Sequence, residues 1–229
     1  MTLTMAISTS TPQVSVAFRS DEGILSSFSL RVGRRHAETL APAIRALCKL
    51  SGVEVDSLSR VAVDVGPGLF TGLRVGIATA KALGDALCIP VVAAGSLETL
   101  AFAWRHDPRT VASVVDARRG EVFWSLHRRV PDGSGVETVR AAQVSSPSDL
   151  ARGLAATSGS VVVTGEGARR YESELSSLDD RIELAPSRFD YPSAECLAVM
   201  TAETEGVEAA LVSARYMREA DVRIGWDQR

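Results

Sequence analysis

Residues 61–87 read VAVDVGPGLFTGLRVGIATAKALGDAL, and their pattern decides the class of fold. Val61, Val63 and Val65 are β-branched and alternate, as in a buried strand. Gly66 and Gly68 reach positive φ without a steric penalty and Pro67 has a fixed φ, so a tight turn follows. Thr71 is placed to cap a helix by bonding the free amides of its first turn. That helix carries Gly72, Gly76, Ala80 and Gly84, a small residue at every fourth position. A glycine inside a helix is worse than alanine by about 0.8–1 kcal/mol, so something must offset the row. Positions four apart share one face and leave a shallow groove, which lets another backbone approach closely. Two occupants suit it: the helix's own sheet or neighbouring helix, or a helix of another subunit.

The turn also has two readings. Amides at a helix N-terminus, preceded by glycines, can bind an anion. The segment is neither a Walker loop, since no Lys-Ser or Lys-Thr follows the last glycine, nor GxGxxG, so on its own it is a weak phosphate cradle. Arg74 falls in the first helical turn, where the macrodipole disfavours a cation. It either reaches into solvent or faces a carboxylate or phosphate supplied by something else.

Around this stretch the chain is ordinary. Its 229 residues suffice for one large domain or two lobes with a core each. The net charge of −3 makes it a poor candidate for gripping nucleic acid alone, although arginine pairs occur at 34–35, 118–119, 128–129 and 169–170. Cys48, Cys88 and Cys196 are far apart and show no metal spacing, which predicts buried reduced thiols in a cytoplasmic protein. No signal peptide and no apolar run of membrane-spanning length is visible.

Toward the N-terminus, Thr2–Thr9 reads as a strand, and 14–18 with 24–30 as a β-hairpin. A basic loop over 31–35 leads to a helix over 36–50. Leu40, Ile44 and Leu47 share one face of that helix, Gly52 ends it, and Pro42 requires a start close before it. After the quoted stretch come a strand at 90–94 and a helix over 96–105 capped by Ser96. The order βββαβαβα predicts a first lobe over 1–107. The second, 108–229, has strands at 111–115, 121–127 and 161–163, with Asp116–Gly120 as a turn. Helices follow Gly165-Glu166-Gly167 and span 193–204, the last free to return to the first lobe. Residues 130–160 are a polar stretch rich in Pro, Gly and Ser. Both halves feed strands into helices, which implies two related lobes.

Catalytic signatures are missing. His36, His106 and His127 form no helical metal pair, and His36 reads as a capping or surface residue. There is no GxSxG elbow, and no carboxylate spacing singles out an acid–base pair. Asp64, Asp116 and Glu121 read as structural.

The quoted stretch continues with IPVVAAGSLETLA (89–101) and VVDARRGEVFW (114–124). It is preceded by MAISTST (5–11), VSVAF (14–18) and HAETLAPAI (36–44). This combination resembles the TsaB (YeaZ) family, with fainter returns at VVVTGEGA (161–168) and ARYMREA (214–220). The resemblance implies an α/β, two-lobed, actin-like and sugar-kinase-like (ASKHA) fold, each lobe a mixed sheet packed with helices. It implies a part in making threonylcarbamoyladenosine at position 37 of tRNA. The chain would be a non-catalytic activating subunit that docks on a TsaD-like catalytic paralogue, with a TsaE-like ATPase joining the pair. ATP and metal are then expected on those partners, with no cofactor and no metal in this chain. Other implied features are a homodimer in isolation, tRNA contact only through the complex, no membrane and a cytoplasmic setting.

The same resemblance places the interface on the two first-lobe helices. Its expected residues are His36, Leu40, Ile44 and Leu47 on one helix, and Thr71, Gly72, Val75, Gly76, Thr79, Ala80, Leu83 and Gly84 on the other. Ser8, Thr9, Gly66, Gly68, Arg74, Gly165 and Gly167 are the weaker, nucleotide-proximal candidates. Ser8 replaces an acid usual after the family's first strand, and serine cannot supply the charge that holds a hard cation. Leu69 stands where serine is commoner. A stand-alone actin-like ATPase or small kinase is the rival reading; a peptidase has no visible metal pair or nucleophile–base set.

Overall fold

A computed structural model describes residues 2–175 and 180–217. The first lobe runs β1 (Thr4–Ser8), β2 (Gln13–Ser20), β3 (Gly23–Arg31), α1 (His36–Ser51), β4 (Arg60–Asp64), α2 (Phe70–Leu87), β5 (Val91–Ala94) and α3 (Ser96–Phe102). The second runs β6 (Thr110–Arg118), β7 (Glu121–Arg129), β8 (Val136–Ser145), α4 (Pro147–Ala155), β9 (Val161–Thr164), α5 (Glu166–Arg170), α6 (Glu172–Leu175), β10 (Ile182–Leu184) and α7 (Ala194–Met200).

The two sheets are ordered β3-β2-β1-β4-β5 and β8-β7-β6-β9-β10. In each, the first strand is antiparallel to the second and parallel to the fourth. The same topology therefore occurs twice, in the two-lobed actin-like, sugar-kinase-like architecture. Among the described residues, no helix is long and apolar enough to cross a membrane.

The lobes are locked by exchanging helices. α3 continues from the first sheet but packs on the second: Leu97 and Leu100 meet Val115, Ala117 and Phe123. α7 follows the second sheet but packs on the first. Ala6, Ala17 and Ala62 lie side by side across β2, β1 and β4. Their small side chains let Ala194, Leu197 and Ala198 of α7 settle close to the sheet. The other face of the first sheet carries α1 and α2 over a core of Met5, Ile7, Val16, Phe18, Val61 and Val63. Residues 206–217 wrap this lobe: Val207 exchanges backbone bonds with Val91, and Arg215 N–H donates to Val65 O.

This geometry corrects the expected interface. The small-residue row of α2 faces its own lobe. A Cβ on Gly72 would lie 2.1 Å from Thr9 O and 3.2 Å from His36 Nε2. One on Gly76 would lie 2.3 Å from Thr9 Oγ1, and one on Gly84 would lie 2.7 Å from Val91 Cγ2. Gly72, Gly76, Ala80 and Gly84 are buried in the monomer, as are His36, Leu40, Ile44 and Leu47. The close approach that offsets the glycines is made by β1 and the loop after it at Gly72 and Gly76, and by Val91 of β5 with Ala209 at Gly84, so these eight residues are core. Thr71 remains exposed, and Val75, Thr79 and Leu83 remain half-buried.

Smaller expectations also change. α2 starts at Phe70 and makes no side-chain cap bond, so Thr71 lies inside it. α3 starts at Ser96, whose hydroxyl is engaged elsewhere. Pro42 sits in the second turn of α1 with its ring exposed. His36 is buried rather than a cap, its Nε2–H donating to Thr11 O at 2.7 Å. Cys88 is exposed, in the left-handed residue that ends α2, and Cys48 and Cys196 are only half-buried. The polar stretch 130–160 holds β8 and α4; β8 is polar because it is an exposed edge strand. The last residues of the ARYMREA segment, 218–220, lie outside the described residues.

Gly76→Ala tests the inward row. Alanine gains up to about 1 kcal/mol of helix propensity, yet the overpacking against Thr9 should leave a net loss of about 1–3 kcal/mol. Urea unfolding measures it; stability equal to wild type would mean that the groove has room.

Candidate functional site

β4 ends on Asp64, whose carboxylate has no solvent exposure. Four donors converge on it. Ser8 Oγ and Ser10 Oγ donate to Oδ2 at 2.8 and 2.5 Å. Ser96 Oγ and Gly66 N–H donate to Oδ1 at 2.6 and 2.9 Å. Burial pushes the carboxyl pKa above its ordinary value, and the four donors pull against that. One side chain thus joins the end of β1, the Gly-Pro-Gly turn and the start of α3.

The turn is filled from within. Gly66 has φ +98, and a Cβ on Gly68 would lie 2.1 Å from Ser10 O. Leu69 N–H donates to Ser10 O at 2.6 Å, and Thr9 Oγ1 to Gly72 O at 2.8 Å. Ser8, Thr9, Gly66 and Gly68, the nucleotide-proximal candidates of this lobe, are therefore neighbours whose polar groups point at one another. Arg74 lies apart on the outer surface, its guanidinium 3.8 Å from the Phe70 ring and 3.4 Å from the Tyr216 hydroxyl. Stacking on an exposed ring accounts for a cation in the first turn without any anion.

Gly165 and Gly167 form a second site in the other lobe. Gly165 has φ +111 and its missing Cβ would meet Val114 O at 2.1 Å; that of Gly167 would meet Asp116 N at 2.8 Å. This clasp brings Glu166 onto β6, where Asp116 N–H donates to Glu166 Oε1 at 3.2 Å. The Asp116 carboxylate is buried under two arginines, with Arg118 Nη1 at 3.0 Å and Arg170 Nε at 3.5 Å. Arg118 N–H also donates to Asp116 Oδ1 at 2.8 Å. Desolvation first, then the Asp116 charge, push the Glu166 pKa up to about 7. Asp116 and Glu166 are fifty positions apart, and only the parallel pairing of β6 with β9 makes them neighbours, so no local pattern announced the pair.

His127, buried on β7 with Nε2 2.6 Å from Ser125 Oγ, is held neutral by desolvation, its pKa lowered to about 4. Among the described residues, no group of three or more His, Cys, Asp and Glu could hold a metal ion.

Two measurements check these sites. Asp64→Ala should lose at least about 3 kcal/mol, because several buried donors are orphaned together. Asp64→Asn should lose less, and equal losses would mean that the donors do not depend on the carboxylate. Glu166 has a folded pKa of about 7 against an ordinary 4.5. Its stabilising contribution is complete below pH 4.5 and is lost as pH rises through 7. Glu166→Gln should gain on the wild type over that window, whereas a pH-independent difference in unfolding free energy contradicts the assignment.

Residues 29–183 match the family described as "TsaD: tRNA N6-adenosine threonylcarbamoyltransferase". The chain is 31% identical to the tRNA threonylcarbamoyladenosine biosynthesis protein TsaB of Escherichia coli K12, over 90% of this chain and 91% of that one. It is 33% identical to the TsaB protein of Bacillus subtilis 168, where the match spans 54% of each chain. The solved structure of YeaZ from Pseudomonas aeruginosa superimposes with a TM-score of 0.81 at 28% identity, covering 94% of this chain and all of the other. The chain belongs to the TsaD family so described and, within it, to the TsaB (YeaZ) family.

Proposed function

We propose that this chain serves tRNA threonylcarbamoyladenosine biosynthesis as a non-catalytic subunit that docks on a TsaD-like catalytic paralogue and fixes the position of that partner's lobes. The observation that carries this reading is the self-closed turn of the first lobe. Where an actin-like ATPase needs an acid after its first strand, Ser8 stands and donates to Asp64. The amides of Gly66 and Leu69 are taken by Asp64 and Ser10. ATP and metal then belong to the partner subunits, including a TsaE-like ATPase, in a cytoplasmic assembly through which tRNA reaches this chain.

The docking surface is the outward side of α1 and α2, which pack beside each other on the first sheet. On α2, Ala78, Ala82 and Ala86 are exposed at four-residue spacing, flanked by half-buried Val75, Thr79 and Leu83. On α1, Ala41, Pro42 and Ala46 are exposed, and Leu50 of the last turn is 84% exposed. Phe70 and Arg74 close the α2 row with an aromatic and an arginine, residue types that anchor interfaces. The family match supports the choice of occupant, since the matched residues 29–183 include both α1 and α2. In isolation a second copy takes that place, forming a homodimer with two-fold symmetry.

Ala82→Arg places a long charged side chain on this surface and leaves the core alone. Association with the TsaD-like subunit should fall at least tenfold with thermal stability unchanged; unaltered affinity overturns α2 as the docking helix. Calorimetry of the isolated chain with ATP and magnesium separates the rival, because tight binding would favour a stand-alone ATPase.

A further inference from the structure

Five exposed arginines stand along the seam between the lobes: Arg31 at the end of β3, Arg118 and Arg119 on the β6–β7 hairpin, Arg170 at the end of α5, and Arg188 before α7. Arg31, Arg118, Arg170 and Arg188 each engage a group beneath them. Arg31 lies 5.3 Å from the centre of the Tyr191 ring, and Tyr191 in turn feels the charge of Glu166. Glu166 is bonded to Asp116, which holds both Arg118 and Arg170. Arg188 stacks on Phe189 at 4.7 Å, next to Asp190, which pairs with the half-buried Arg169 at 3.5 Å.

Two features set this row apart from solvated surface charge. The counter-ion of two of its members is underneath: the Asp116 side chain, paired with Arg118 and Arg170, is 1% exposed, so it orients those guanidinium groups but cannot cover them. The hairpin, moreover, holds Arg118 at φ 64 and Arg119 at φ 57. Left-handed backbone costs about 1–2 kcal/mol for each non-glycine residue and persists only where the surroundings impose it. At Arg118 the bonds from its amide and guanidinium to Asp116 impose it, and at Arg119 the two-residue hairpin turn with Gly120 does. The chain as a whole carries a net charge of −3, so the concentration of positive charge is local.

We infer that this arginine row binds the phosphodiester backbone of RNA. The donors come from separate elements of both lobes and are strung along a seam, which fits a chain of phosphates better than one small anion. Arginine suits the task through its planar fork of donors. The inference rests on the reading above, in which tRNA reaches this chain within the assembly; a net negative subunit can contribute part of an RNA surface without gripping RNA alone.

The test is tRNA binding to the assembled complex, followed by fluorescence anisotropy across a salt series. The double variant Arg31→Gln, Arg188→Gln removes two charges without touching the strained hairpin. Affinity should fall about tenfold, and the slope of log affinity against log salt should flatten by about one unit per arginine. Lysine at both positions should restore the slope, and Arg152→Gln, on α4, should change neither quantity. An unchanged slope, an equal effect of Arg152→Gln, or displacement of the tRNA by millimolar ATP overturns the inference. Co-elution of the subunits is measured first. If they do not associate, the docking reading fails and the arginine row, which rests on it, falls with it; if they associate and the slope is unchanged, the arginine row alone fails.

Discussion

A carboxylate without access to water must be surrounded by donors, and in this protein the donors for Asp64 come from three separated segments. Ser8 ends β1 and Ser10 lies in the loop after it, Gly66 belongs to the turn after β4, and Ser96 is the first residue of α3. Burial of an unpartnered charge would be prohibitive, so the three segments converge or the lobe does not form. Much of the local geometry follows. With the loop after β1 drawn in, Thr9 and Ser10 present carbonyls to Gly68 and Gly72, and only glycine fits there. With Ser96 drawn in, α3 leaves the first sheet at the angle that carries it onto the second.

The same convergence bears on chemistry. In an architecture built around a cleft, the polar groups at the end of β1 are the natural ones to meet a ligand. Here a serine-rich loop turns those groups inward, and the amides that could have faced an anion are shared with Asp64 and Ser10. The second lobe repeats the strand order but not this solution. At the corresponding turn, Gly165 and Gly167 bring a carboxyl group, Glu166, against a second buried acid, Asp116, with arginines above. Duplicated topology has thus diverged into a sealed node in one lobe and a charged, exposed seam on the other.

Small residues do two jobs that look alike in sequence. The row Gly72, Gly76, Ala80 and Gly84 admits β1 and its loop at one end and Val91 of β5 at the other, and is core. Ala78, Ala82 and Ala86 keep the same spacing on the opposite side of the same helix and face outward. Hydrophobic and small-residue periodicity reports that something approaches a helix face. It does not say whether the approaching backbone belongs to the same chain, because the contact physics is the same.

The alternating valines, the Gly-Pro-Gly turn and the order βββαβαβα were enough to give the class of the fold and the position of most first-lobe elements, because each rests on local backbone preference or short-range periodicity. The second lobe was harder to read. β8 and α4 are exposed elements whose polarity mimics loop, and α5 is only five residues long. Asp64 was legible as a structural acid on a strand end, but its four partners were not, since three of them come from positions at least thirty-two residues away. What only the tertiary structure decided was direction: which face of α2 is core, which lobe α3 and α7 serve, and which carboxylates become neighbours. Those outcomes depend on strand pairing between distant segments, and no local pattern in a chain encodes who its neighbour across a sheet is.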